Sequence, residues 1–276
     1  MSINWFTPLY ILAIYGLVRF FIRSKAGDKK EQVNWSPLES AGITLFIFFA
    51  AEIIGLMLVY IVPLLLGWHS GRINDWLDNS VLGQFLATVA IEGVTAWLLL
   101  NFLKRRLASV KTIGLNRWPI LKDLGYVILG FAIYFTAYII IIDVVKALIP
   151  SINLDQQQQI GFQNPAHWQL PLVFISLVIL PPLVEELLVR GFLYTGFKKG
   201  LPAVAAVLLT SGLFAVAHLQ AGSGAPLLWV AAIDTFILSL VLIFLKERTG
   251  SLWASIGLHM LKNGIAFASL FLLHVV

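Results

Sequence analysis

The segment Pro181-Pro182-Leu183-Val184-Glu185-Glu186-Leu187-Leu188-Val189-Arg190 sets two adjacent carboxylates and a guanidinium inside an apolar stretch of membrane-crossing length. A charge near the bilayer centre costs about 2.5–3.5 kcal/mol on insertion scales, so such a group needs partners or a task. Glu186 and Arg190 are four apart and share a helix face, where they can pair and lower the cost of burial. Glu185 is turned about 100° away from Glu186 and lacks that partner, which makes it the better candidate for chemistry. Two other apolar stretches contribute His218, and His259 with Asn263, the last two again four apart on one face.

These residue types suit amide hydrolysis. That reaction needs an activated water, donors for the tetrahedral oxyanion and a proton for the leaving amine. A carboxylate and an imidazole can hold and deprotonate water, and an imidazole and a carboxamide N–H can cradle the oxyanion. Glu185 with His218, and His259 with Asn263, supply that set. Depth permits it as well. Glu185 and His218 each lie about 16 residues from a turn near Gly200 to Pro202, so both sit about 24 Å from it at 1.5 Å per residue. His259 starts roughly a turn or two shallower, a mismatch that tilt or a break at Pro181-Pro182 can absorb.

The elements that must carry these residues are transmembrane helices. Of 276 residues, 59% are hydrophobic and 12% charged, about half the charged fraction of a soluble domain. Eight stretches are long enough to cross a bilayer: 7–24, 41–66, 80–103, 123–149, 169–195, 202–220, 226–246 and 251–275. The fold class expected is therefore all-α, a polytopic membrane bundle of about eight transmembrane helices, with no ten-residue alternation that would signal a barrel. It divides into a four-span region over 1–150 and a four-span core over 151–276. Residues 1–6 carry no basic region or cleavage site, so the first stretch is expected to remain as a span.

Fifteen Lys and Arg residues fall in the odd-numbered connections, including Lys104 to Arg106, Lys198, Lys199, Lys246 and Arg248, against Arg72 and Lys146 near the even ones. This asymmetry predicts cytoplasmic odd connections and outside termini. The net charge of +5 is thus topological and does not point to nucleic acid. Cysteine is absent, which excludes disulfides, thiolate metal sites and a cysteine nucleophile.

The ordered strings E-E-L-L-V-R (185–190), F-A-V-A-H (214–218) and H-M-L-K-N (259–263) resemble the three motifs of the CAAX-protease and bacteriocin-processing (Abi) family, type II CAAX prenyl endopeptidases among them: EExxxR, FxxxH and HxxxN. The run Thr249 to Trp253 is also similar, and the likeness covers about residues 165–265. It implies a polytopic intramembrane protease in which Glu185 acts as general base with His218, His259 and Asn263 form the oxyanion hole, and Glu186 and Arg190 help hold the site. The implied substrate is a peptide or membrane-tethered protein within the lipid bilayer. No cofactor is implied by the metal-free glutamate mechanism. The chain lacks HExxH, although two histidines and two glutamates could hold zinc as an alternative.

Other classes fit parts of the pattern. Buried Glu, Arg and His clusters also occur in proton- or solute-coupled transporters, where broken helices come in matched pairs; the Pro-Pro break has no counterpart in the first half. A non-catalytic immunity or scaffold protein would carry the residues without needing them. Asp143 and Asp234 lack an aspartyl-protease context, and Gly222-Ser223-Gly224 with His259 only faintly resembles a rhomboid serine site. Glu92 and Glu52 are further acids within spans. For Phe214 packing is expected, and for Lys262 snorkelling or pairing with an acid.

Overall fold

The computed structural model describes residues 33–154, 161–219 and 227–274, and all the regular structure in them is helical. Helix α1 (Pro37–Leu65) begins at a capping box: Ser36 Oγ accepts from the Glu39 N–H while the Glu39 carboxylate accepts from the Ser36 N–H. Next come α2 (Ser70–Asn79), α3 (Val81–Arg105) and α4 (Leu121–Leu148). A long α5 (His167–Gly200) leads through a two-residue turn into α6 (Ala203–Ala217). The chain closes with α7 (Trp229–Thr249), which ends on Gly250 at φ +65°, and α8 (Trp253–Phe267), extended by a wider turn over Ala268–Leu272.

Six of these helices are long and apolar enough to cross a membrane: α1, α3, α4, α5, α7 and α8 with its extension. The chain is a multi-pass membrane helical bundle. The expected stretch 7–24 lies outside the described residues, as do the basic residues that follow it, the Gln-rich segment and Gly222-Ser223-Gly224. The expected span 202–220 differs from what forms. Its helix, α6, has only 15 residues, about 22 Å of rise against a hydrocarbon core of about 30 Å. It stops at His218, which places an imidazole within the apolar layer. The short α2 was not foreseen, because its polar sequence carries no apolar run.

Burial separates the helices by role. α7 is the innermost, with 67% of its most apolar window buried, whereas α1 is at 17% and presents its apolar surface to lipid. α5 is the hub and touches α1, α3, α6, α7 and α8. Gly196 lets α1 approach it closely: a Cβ there would run into Ser40 Oγ and lie 2.6 Å from Trp35 Nε1. Trp35, Phe102 and Phe192 stack edge and tilt at 5.1–6.3 Å and lock that contact. Lys246, read from sequence as a loop cation, is instead 5% exposed on α7, its Nζ donating to the Arg190 carbonyl (2.8 Å) and to Thr195 Oγ1.

Candidate active site

α5 is not a regular α-helix. It widens to π-turns over Ile175–Ile179 and Glu186–Leu193. The first has a sequence cause. Pro181 and Pro182 have no N–H to return to the carbonyls one turn earlier, so Leu177 and Val178 lose their ordinary helical donors. The ladder is taken up instead by Leu180 N–H, five residues on from the Ile175 carbonyl. Asn263 of α8 fills the gap, its Nδ2 donating to the Leu177 carbonyl at 2.9 Å.

The second π-turn carries the charges. Arg190 Nη1 donates to Glu186 Oε1 at 2.8 Å, with both side chains fully buried, as their four-residue spacing predicts. The same carboxylate oxygen accepts from His259 Nδ1 at 3.1 Å. A carboxylate can only accept, so Nδ1 carries the proton and the Glu186–Arg190 pair fixes the orientation of the ring. Glu186 Oε2 and Arg190 Nε and Nη2 find no hydrogen-bond partner among the described residues. The guanidinium carbon lies 4.0 Å over the Phe214 ring.

Glu185 faces elsewhere. Its side chain is 30% exposed, and Oε2 lies 3.8 Å from His259 Nε2. His259 thus stands between the two glutamates, one on each ring nitrogen. At the end of α6, His218 Nδ1 donates to the Phe214 carbonyl at 2.8 Å. That assigns the proton to Nδ1 and leaves Nε2 with the lone pair in the neutral ring. Phe214 packs its ring against both imidazoles, at 4.7 Å from His218 and 6.1 Å from His259.

Glu185, His218, His259 and Asn263 all line one cavity of about 150 Å³. Glu186 and Arg190 stand behind it rather than lining the space: Glu186 accepts from His259, and Arg190 donates to Glu186. Asp234 and Lys262 line the same cavity, and Lys262 has the acid partner expected of it from sequence. Lys262 Nζ pairs with Asp234 Oδ2 at 2.7 Å, and Tyr134 Oη donates to Asp234 Oδ1. Their only sequence signal is that each is a charge within an apolar span, with its partner far away in the chain.

Zinc would need three of these side chains on one point. Among the described residues no group of three His, Asp or Glu is arranged to hold a metal ion.

Residues 167–265 match the family described as type II CAAX prenyl endopeptidase Rce1-like. The match spans the three motifs and most of the cavity wall, and it bears out the resemblance to the CAAX-protease and bacteriocin-processing family. No curated protein and no solved structure matches the chain.

Proposed function

We propose that this protein is an intramembrane endopeptidase that hydrolyses peptide bonds of membrane-associated peptides or proteins, with Glu185 as its general base. The observation that carries this reading is the gathering of Glu185, His218, His259 and Asn263, from three separate helical elements, on one cavity within the apolar layer. The protease family matched over 167–265 supports it.

A water in that cavity can donate one proton to the Glu185 carboxylate and the other to His218 Nε2, which turns an oxygen lone pair toward the substrate carbonyl carbon. Glu185 takes the proton as the C–O bond forms, and the negative charge passes to the carbonyl oxygen. His259 acts as an imidazolium, with Nδ1–H held by Glu186 and Nε2–H aimed at the cavity, and donates to that oxyanion. Asn263 adds the second N–H of its amide, the first being engaged by Leu177. Glu185 then returns its proton to the leaving nitrogen, the C–N bond breaks, and an acid and an amine result. No metal takes part, so chelators leave turnover unchanged. The asymmetry of the basic residues supports cytoplasmic odd connections and outside termini.

The test is turnover of membrane-anchored fluorogenic peptides by the purified protein in proteoliposomes. Glu185→Gln lowers turnover by roughly 10²–10⁴-fold and keeps the wild-type melting profile. Undiminished cleavage by that variant ends the proposal.

A further inference from the structure

Two charged groups of the cavity, Asp234 and Lys262, have no part in the proposed hydrolysis. Lys262 precedes Asn263 on α8 and lines the same space as Glu185 and His218. Its ammonium is held by Asp234 of α7, which Tyr134 of α4 holds in turn, so three helices fix its place. The two ends of this pair differ in what they can still bind. Each Asp234 oxygen accepts one hydrogen bond, one from Tyr134 and the other from Lys262. An ammonium has three N–H donors, and Asp234 takes one. Lys262 therefore brings to the cavity two N–H donors that Asp234 does not use.

From this geometry we infer that Lys262 is a substrate-binding residue, whose ammonium donates to an oxygen of the bound peptide beside the scissile bond. The inference rests on the endopeptidase reading and deepens it. The ligand chemistry is an oxygen acceptor, supplied either by a main-chain carbonyl or by a terminal carboxylate. Asp234 and Tyr134 act through Lys262 and are positioning residues: they stop the flexible four-carbon stem from carrying the charge out of the cavity.

The experiment uses the full-length protein and fluorogenic peptides with either a free or an amidated C-terminus. Lys262→Met alone strands Asp234, so the informative variant is Asp234→Asn with Lys262→Met, which removes both charges together. Its KM is expected to rise tenfold or more with kcat largely kept, the signature of lost binding shared by ground and transition states. Lys262→Arg keeps KM within a few-fold of wild type. If the acceptor is the terminal carboxylate, amidating the peptide raises KM in wild type by the same factor and the double variant adds nothing further. If it is a main-chain carbonyl, the effect of the double variant is the same on both peptides.

Wild-type KM in the double variant overturns the inference, because the lysine then serves only to neutralise Asp234. A fall in kcat with KM unchanged also overturns it. Should the double variant cleave too slowly to assay, peptide affinity is measured in the Glu185→Gln background with and without the two substitutions, and equal affinities refute the contact. These outcomes leave the protease reading intact, since that reading fails only if Glu185→Gln cleaves like wild type.

Discussion

Asn263 donates to the carbonyl of Leu177, the oxygen that Pro181 leaves without its ordinary helical donor. An apparent flaw in one helix thus becomes the fastening point for a proposed oxyanion donor on another. The Pro-Pro pair does not simply break α5. It creates an acceptor at a set depth and draws α8 onto it.

Pro181→Ala tests that relationship. The restored N–H competes for Leu177 and releases the Asn263 carboxamide. We expect kcat to fall roughly tenfold, less than the ~10²–10³ expected for removing the donor outright by Asn263→Ala, while the melting temperature stays level or rises. Wild-type kcat in Pro181→Ala alongside an impaired Asn263→Ala would falsify the link.

Glu186 and Glu185 are adjacent, yet their substitutions should have opposite signatures. Glu186→Gln strands a fully buried guanidinium and should cost about 3–5 kcal/mol of stability. Removing both charges, in Glu186→Gln with Arg190→Met, should restore much of that stability but not turnover. Denaturant or thermal unfolding in detergent reads both effects. A Glu186→Gln protein as stable as wild type contradicts the assignment of Glu186 as the structural carboxylate.

Among the described residues the His218 side chain is hydrogen-bonded only through Nδ1, to the carbonyl of its own helix end. His218→Ala should therefore lower turnover by about 10²–10³-fold with little change in melting temperature. If the loss of activity follows a loss of folded protein instead, the imidazole is holding the helix end rather than water.

Gly196→Ala probes the seat of α1 on α5. The added methyl must displace Ser40 or the Trp35 indole, and overpacking of this kind typically costs about 1–3 kcal/mol. Pairing it with Ser40→Gly should recover part of the loss. Recovery is read by unfolding, and its absence would show that the tryptophan, not the serine, is the obstacle.

Much of this was legible in the residues, for identifiable reasons. Long apolar runs imply helices in lipid because no other backbone arrangement satisfies itself there. The Glu186–Arg190 pair was readable because four-residue spacing is a local rule. What stayed hidden depends on tertiary contact or on where a helix stops. Hydropathy continues across 202–220, yet α6 ends at Ala217, and no propensity marks that end. Lys246 counted as a loop cation because its partners, Arg190 and Thr195, lie more than fifty residues away. His259 was expected to serve the oxyanion alone. Its hold on Glu186 depends on how α8 packs against α5, which spacing within α8 cannot reveal. That Asp234 is the acid paired with Lys262 stayed hidden for the same reason.

A helix that runs out about 8 Å early deforms the membrane around it. Head groups must sink, or the acyl chains beside α6 must shorten, to meet the polar end at His218. A bilayer thinned on that flank would give water a shorter descent to the cavity than the full half-thickness. Longer-chain lipids resist the thinning, so reconstituted activity should decline as acyl length grows.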